Sequence, residues 1–391
     1  MTKQTTYADS GVNIDLGDDV SKILYNAAKQ TWENRKGKLG EVIVPFDDFT
    51  GVRAIDVSNL PSGTLMNIGF DGVGTKMELA ERVGNHRTIA YDLFAMVTDD
   101  AVVRGAEPVL VGSILDVNSL GTSDKPFIEE VKQLAEGYIY AAKAANVAIV
   151  NGEVAELGSR VGGFGPFNYN WGAGVVWFAK KERMFTGREI KIGDYLVGLR
   201  EEGFRSNGLS LVRKIMKNNH GENWHQVPWK TGNVSLADLA LTPSRIYAAA
   251  IVDMFGGYGA EPKTEVHGVA HITGGGVPGK LGRMLKVSGL GAVVDTPFEP
   301  SEFVRYTQAI GEVSDFEAYK TWNMGQGMII ATPKPEDVVK IASDYGISAQ
   351  YIGRIVKNSG IIIKNMGVFN PKNIGRLNKP VSQKGSEFLS F

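Results

Sequence analysis

The 391-residue chain contains no cysteine. This excludes disulfides, zinc–thiolate centres and cysteine nucleophiles, and it accords with a reducing compartment. Excess charge is also missing: 42 basic against 43 acidic side chains leave a formal net charge of -1. No broad electrostatic footprint for nucleic acid or anionic lipid exists, which favours a small-molecule partner. No apolar run approaches the roughly 18 residues that a membrane helix needs. The opening "MTKQTTYADSGVNID" lacks the apolar segment of a signal peptide, which predicts a soluble, cytoplasmic protein with neither nucleic acid nor membrane as partner.

Glycine is plentiful instead, with 48 residues gathered in clusters between patterned segments. Such clusters predict tight turns and sites lined by backbone. The length suits two domains, expected over 1–180 and 181–357, with a polar tail at 358–391.

Short apolar stretches at 63–70 and 109–117 are bounded by Gly, Pro or Asn, as strands are. Between them, 86–104 has Ile89, Leu93, Val97 and Ala101 spaced by four and ends at Gly105, which predicts a helix. A second helix over 126–145, the strand "VAIVNGE" and another strand at 171–181 complete a strand–helix alternation. A similar series opens at 194–199 and continues with helices near 208–218 and 243–255 and a strand at 266–272. The order predicts an α/β (α+β) protein of two domains.

Several motifs carry chemistry. In "FDGVGTKMELA" a carboxylate, Asp71, is followed by Gly72, Gly74, Thr75 and Lys76. An Asp-Gly turn explains the glycines without function. The functional reading puts Mg²⁺ on Asp71 and phosphate oxygens on Lys76 and nearby amides. The stretch is neither a Walker A loop nor a G-x-G-x-x-G fingerprint. Asp100 falls inside the apolar stripe of its helix and needs a partner. Arg104, four residues on, is one candidate and a divalent cation shared with Asp71 is the other. Glu153 is expected in a strand-end loop, where α/β sheets hold ligands, or else as a plain solvent-exposed acid. Ser206 or Asn207 is placed to cap the helix beginning near 208, or to receive an anion there. His267 and His271 share one face of a strand, and the second leads into Gly274, Gly275 and Gly276 ahead of a helix with Pro278 in its first turn. Three glycines let a backbone approach a ligand closely, and a helix start favours phosphate.

Taken in order, "YADSG", "DGVGTK", "YDLFAM", "GAEP", "NGEVAE", "RSNGLSLVRKI", "TPSRIY", "VHGVAHITGGG" and "GQGMIIA" make the chain similar to the phosphoribosylformylglycinamidine cyclo-ligases, the aminoimidazole ribonucleotide (AIR) synthetase family. The similarity runs from about residue 7 to about 356. It implies ATP-dependent closure of the imidazole ring of formylglycinamidine ribonucleotide, with ATP and Mg²⁺ bound. It also implies a homodimer whose N-terminal sheets join into a barrel, beside a C-terminal α/β domain. By that resemblance Asp71, Gly72, Gly74, Thr75, Lys76 and Glu153 belong to the ATP site, and Asp71 and Asp100 are the metal ligands. Ser206, Asn207, Gly274, Gly275 and Gly276 would face substrate, and Asp100, Lys76 and His271 would be catalytic. The sequence departs from the family where Glu41 and Val42 follow Leu39-Gly40, and at Tyr25, Asp99 and Arg205, which stand for Lys, Asn and His. Thiamine monophosphate kinase, of the same superfamily, and a silent ATP-binding scaffold are the alternative readings.

Overall fold

The structure, a computed structural model, describes residues 13–44, 52–368 and 388–391. Tyr7 to Gly11, and residues 45 and 46 of the altered loop at 39–46, lie outside the described residues. The chain forms two compact units. The first comprises residues up to Thr98 together with Pro108–Phe178, and the second comprises Asp99–Glu107 and Ala179–Phe391.

Four helices appear first: α1 (Ile14–Thr31), α2 (Met77–Val83), α3 (Ile89–Val102) and α4 (Ile128–Ala145). The strands among them are β1 (Thr64–Gly72), β2 (Glu107–Val117), β3 (Gly121–Thr122), β4 (Lys125–Pro126), β5 (Ala148–Glu156) and β6 (Tyr169–Lys180). β1, β6, β2 and β5 make one sheet in that order, with β2 and β5 parallel. α1 starts where the Asn13 side chain accepts from the Leu16 amide at 3.2 Å, and it packs on α4 and β5. α4 stops at Asn146, which takes a left-handed conformation.

Leu93, Phe94, Val97, Val111, Leu134 and Tyr138 are buried in the first unit's core. The Tyr138 ring packs against Phe94 and Trp171, and its hydroxyl and the Trp171 indole both reach Ser113 Oγ, at 2.7 and 3.2 Å. The polar ends of two buried aromatics are thus satisfied by one small hydroxyl. β1, at the sheet edge, presents Met66, Ile68 and Phe70 to solvent on one face, Phe70 being 75% exposed.

The second unit carries β7 (Tyr195–Arg200), α5 (Leu209–His220), α6 (Leu236–Ala240), α7 (Ala248–Phe255), β8 (Gly268–His271), α8 (Gly276–Leu285) and β9 (Gly291–Val294). It continues with α9 (Glu302–Ile310), α10 (Asp315–Thr321), β10 (Gln326–Thr332), α11 (Pro335–Asp344), β11 (Ala349–Val356), β12 (Gly360–Lys364) and β13 (Phe388–Ser390). Its sheet runs β13-β12-β9-β11-β7-β10-β8. β7 lies antiparallel to both β10 and β11, and every residue of β10 is buried. A continuous apolar run, "GMIIA", is what a strand covered on both faces requires. No helix among the described residues is long and apolar enough to cross a membrane.

Two expectations need correction. The range expected as a polar tail, 358–391, carries two strands among its described residues: β12 pairs with β9, and β13 pairs with β12. The Phe391 ring also stacks on Phe316 at 4.5 Å. The polar composition after residue 366 concealed a short apolar strand whose partner lies far back in the chain. The second difference is that Asp99–Glu107, expected within 1–180, clusters with the second unit.

Candidate active site

In the first unit, Asp71 and Gly72 end β1, and a single tight turn, Gly74–Lys76, leads into α2. Asp71 is exposed and its Oδ1 accepts from the Gly72 amide at 2.7 Å. Gly74 has φ 70°, the left-handed region that glycine tolerates. A Cβ on Gly72 would sit 3.3 Å from the Trp171 carbonyl, so close approach of β6 selects that glycine. Thr75 is exposed. Lys76 differs from expectation: it is fully buried, with Nζ 2.7 Å from Asp92 Oδ1, and Asp92 is buried too. An ammonium expected at phosphate is instead committed to a carboxylate of α3. Glu153 is exposed, as one reading held, but it lies within β5 rather than in a loop.

The second unit gathers the other candidates. α3 is buried almost all round, so its apolar stripe did not discriminate: Asp92 and Asp99 are inside, whereas the Asp100 side chain is 57% exposed. Asp100 Oδ1 accepts from His271 Nδ1 at 2.7 Å, and it is this ring, rather than Arg104, that partners it. His271 Nε2 in turn meets Arg205 Nη2 at 2.7 Å. The same Nη2 donates to Asp99 Oδ2 at 3.0 Å, and Nη1 donates to Glu201 Oε2 and to the Arg245 carbonyl at 2.8 and 2.9 Å. Asp99 Oδ1 accepts from the Tyr247 amide at 2.9 Å. Arg205 holds this position with φ 58°, a left-handed backbone that costs a side chain about 1–2 kcal/mol.

Electrostatics follow from that packing. Burial lifts the Asp99 carboxyl to about 7, although Arg205 and the Tyr247 and Ala248 amides pull the other way. Burial also pushes His271 down to about 4, with the Arg205 charge adding to the effect and Asp100 opposing it. At Asp100 burial raises the carboxyl, but the His271 hydrogen bond and the charges of Lys280 and Arg205 outweigh it and hold the group below its ordinary value.

Ser206 and Asn207 follow Arg205 directly, yet neither is the cap: Gly208 occupies that position, with φ 71° and no side-chain bond to the helix. A Cβ there would strike the Trp322 ring at 2.6 Å, so packing selects glycine and moves the cap past the polar pair. Ser206 Oγ is buried without a hydrogen-bond partner among the described residues. Asn207 Oδ1 lies 3.6 Å from where a Gly274 Cβ would be, which brings two of the expected substrate segments together. Gly274 and Gly275 are exposed, and Gly275 and Gly276 take φ 91° and 58°. His267, distinct from this cluster, bonds Asp194 and Glu265 at 2.7 and 2.6 Å.

Asp99, Glu201, Tyr247 and Lys280 were not singled out as site residues. Acids on α3 and at the end of β7 were the only signal: Arg205 lies four residues from Glu201 but 106 from Asp99. Among the described residues no group of three His, Asp or Glu side chains is arranged to hold a metal.

The α/β fold is shared with solved proteins. A thiamine-monophosphate kinase from Stenotrophomonas maltophilia K279a superposes with a TM-score of 0.56 at 13% identity, covering 86% of this chain and 95% of that one. A hydrogenase maturation protein solved in complex with ATP superposes with a TM-score of 0.51 at 12% identity, over 80% and 84% of the two chains. Sequence carries the relationship further. Residues 53–168 match the family model for the AIR synthase related protein N-terminal domain, and 191–364 match that for its C-terminal domain. A phosphoribosylformylglycinamidine cyclo-ligase from Nitrosococcus oceani is 32% identical over 354 residues, 90% of this chain and 91% of that one. The chain belongs to the AIR synthase family.

Proposed function

We propose that this protein is an ATP-dependent cyclo-ligase of de novo purine biosynthesis. It converts formylglycinamidine ribonucleotide to aminoimidazole ribonucleotide and releases ADP and phosphate. Identity of 32% with a cyclo-ligase across nine-tenths of the chain carries the proposal.

An amide oxygen is a poor leaving group. Phosphoryl transfer from ATP to the formyl oxygen makes it a good one. The amidine nitrogen then attacks that carbon, the ring closes, and the C–O bond breaks as phosphate departs. Such chemistry asks for positioning and charge neutralisation and needs no covalent enzyme intermediate, which suits a chain without cysteine. In the second unit, the exposed backbone at Gly274 and Gly275 and the Asn207 amide beside them are assigned to the ribonucleotide. Asp100 has its rotamer held by His271 and stands ready to accept a proton or orient a nitrogen. In the first unit, Asp71, Gly72, Gly74, Thr75 and Glu153 are assigned to ATP, and Lys76 acts from behind by fixing α3 through Asp92.

Asp71 in the first unit and Asp100 in the second are each exposed hard-oxygen donors, the ligand type that suits Mg²⁺, which keeps waters and takes other ligands from phosphate. When bound, the ion supplies charge neutralisation to the phosphates.

A homodimer formed through the first unit's sheet is part of the proposal, supported by the apolar edge strand β1 with Met66, Ile68 and Phe70 outward. The cytoplasm is its proposed location. The test is ADP release by the purified protein with Mg²⁺-ATP, with and without formylglycinamidine ribonucleotide. Substrate-dependent ADP matched one to one by product is expected. ATP turnover indifferent to that substrate, or none at all, would overturn the assignment.

A further inference from the structure

Arg205 is the side chain on which the second unit's polar cluster converges. It is completely buried, and four bonds to four different residues leave its two terminal nitrogens fully used. A guanidinium has N–H groups to give and no lone pair to receive. At its contact with His271, Nε2 must therefore be the acceptor. The ring is neutral in that arrangement, so its one proton sits on Nδ1, the nitrogen that faces Asp100 at 2.7 Å. Either other state of the ring would bring an N–H of His271 against an N–H of Arg205 in a site without water access.

We infer that Arg205 is a positioning residue that fixes His271 as the Nδ1–H tautomer, so that one oxygen of Asp100 is always occupied and its carboxylate is held in a single orientation. The inference rests on the cyclo-ligase reading for its effect on rate, but not for the tautomer itself. Asp99 and Glu201 both accept from the buried guanidinium, and the left-handed backbone at Arg205 shows the fold accommodating a less favourable conformation there. His271, with both ring nitrogens engaged, acts through Asp100 and does not touch substrate.

The first measurement reads the wild-type protein. Nitrogen-15 spectra of the full-length protein labelled at its five histidines, with His271 assigned through His271→Asn, are expected to show Nδ1 protonated and Nε2 bare at neutral pH. An Nε2–H tautomer, or a mixture, would overturn the inference outright. Arg205→Lys keeps the charge but has one nitrogen where three acceptor side chains wait. It is expected to lose the single tautomer and to lower kcat on the order of tenfold or more, with KM for ATP nearly unchanged. A folded Arg205→Lys protein with the wild-type spectrum and kcat would also sink the positioning role. If the tautomer is found, and is lost in Arg205→Lys, but aminoimidazole ribonucleotide is never made, the positioning assignment stands and the cyclo-ligase reading falls.

Discussion

Replacing Lys76 by Met separates two roles for a lysine inside the "DGVGTK" segment. The ammonium and its partner Asp92 are both fully inaccessible, and their charged atoms are 2.7 Å apart. Met keeps most of the apolar stem and removes only the charge, which takes from the buried Asp92 carboxylate its ion-pair partner at 2.7 Å. Breaking a buried pair in this way costs about 3–5 kcal/mol. For a unit of this size each kcal/mol lowers Tm by about 2–4 °C, so a drop of about 10 °C is expected. Removing both charges, in Lys76→Met/Asp92→Asn, is expected to recover at least half of the loss, because neither partner is then left charged and alone. Thermal unfolding of the full chain supplies the magnitude, and hydrogen exchange in β1 and α3 locates it in the first unit. A Lys76→Met protein as stable as wild type, with a much raised KM for ATP, would refute the argument and return the lysine to the phosphates.

Three further outcomes follow from particular contacts. His86 is buried among Phe167 and Tyr169, its Nδ1 3.0 Å from the Tyr169 hydroxyl, and burial pushes it down to about 4. Above the unfolded-state value near 6.5 both states are neutral and pH has no effect through this group. As pH falls below that value the unfolded chain takes up the proton first, so stability drops by up to about 3 kcal/mol by about pH 4. Urea midpoints of wild type and His86→Phe, compared between about pH 7 and 4.5, should diverge in that direction, and parallel curves would refute it. Gly276→Ala would place a Cβ 1.9 Å from the Tyr319 carbonyl at φ 58°, and should cost about 2–4 kcal/mol. Gly282→Ala, in the same helix but facing open space, should be neutral or slightly stabilising; equal effects would show that the contact does not matter. Phe70→Asp, on the exposed edge of β1, should turn a dimer into a folded monomer by light scattering, and an unchanged dimer would remove that edge from the interface.

The regular elements were largely legible. Ile89, Leu93 and Val97 announced α3, and apolar runs announced β2 and β7, because a three-to-four or two-residue period records which side of a local element is covered. Glycines were legible as necessary but not as to cause: Gly74 serves a positive φ, Gly72 the close approach of Trp171, and Gly208 both a positive φ and the Trp322 ring packed on it. Asn207 and Gly274, singled out separately in the sequence, lie side by side in the structure.

What the sequence determined by itself is the set of local elements, the apolar faces they bury and the ligand-type residues at their ends. The tertiary structure decided which charges meet. Lys76 is claimed by Asp92, Asp100 by His271, and Arg205 joins Asp99 and His271, which lie 106 and 66 residues away in the chain. A buried ionisable group is stable only with a partner brought by another element, and nothing in local periodicity encodes which element that is. The short strand Phe388–Ser390 teaches the same lesson: three residues have no period to read, and only the open edge of β12 makes them a strand.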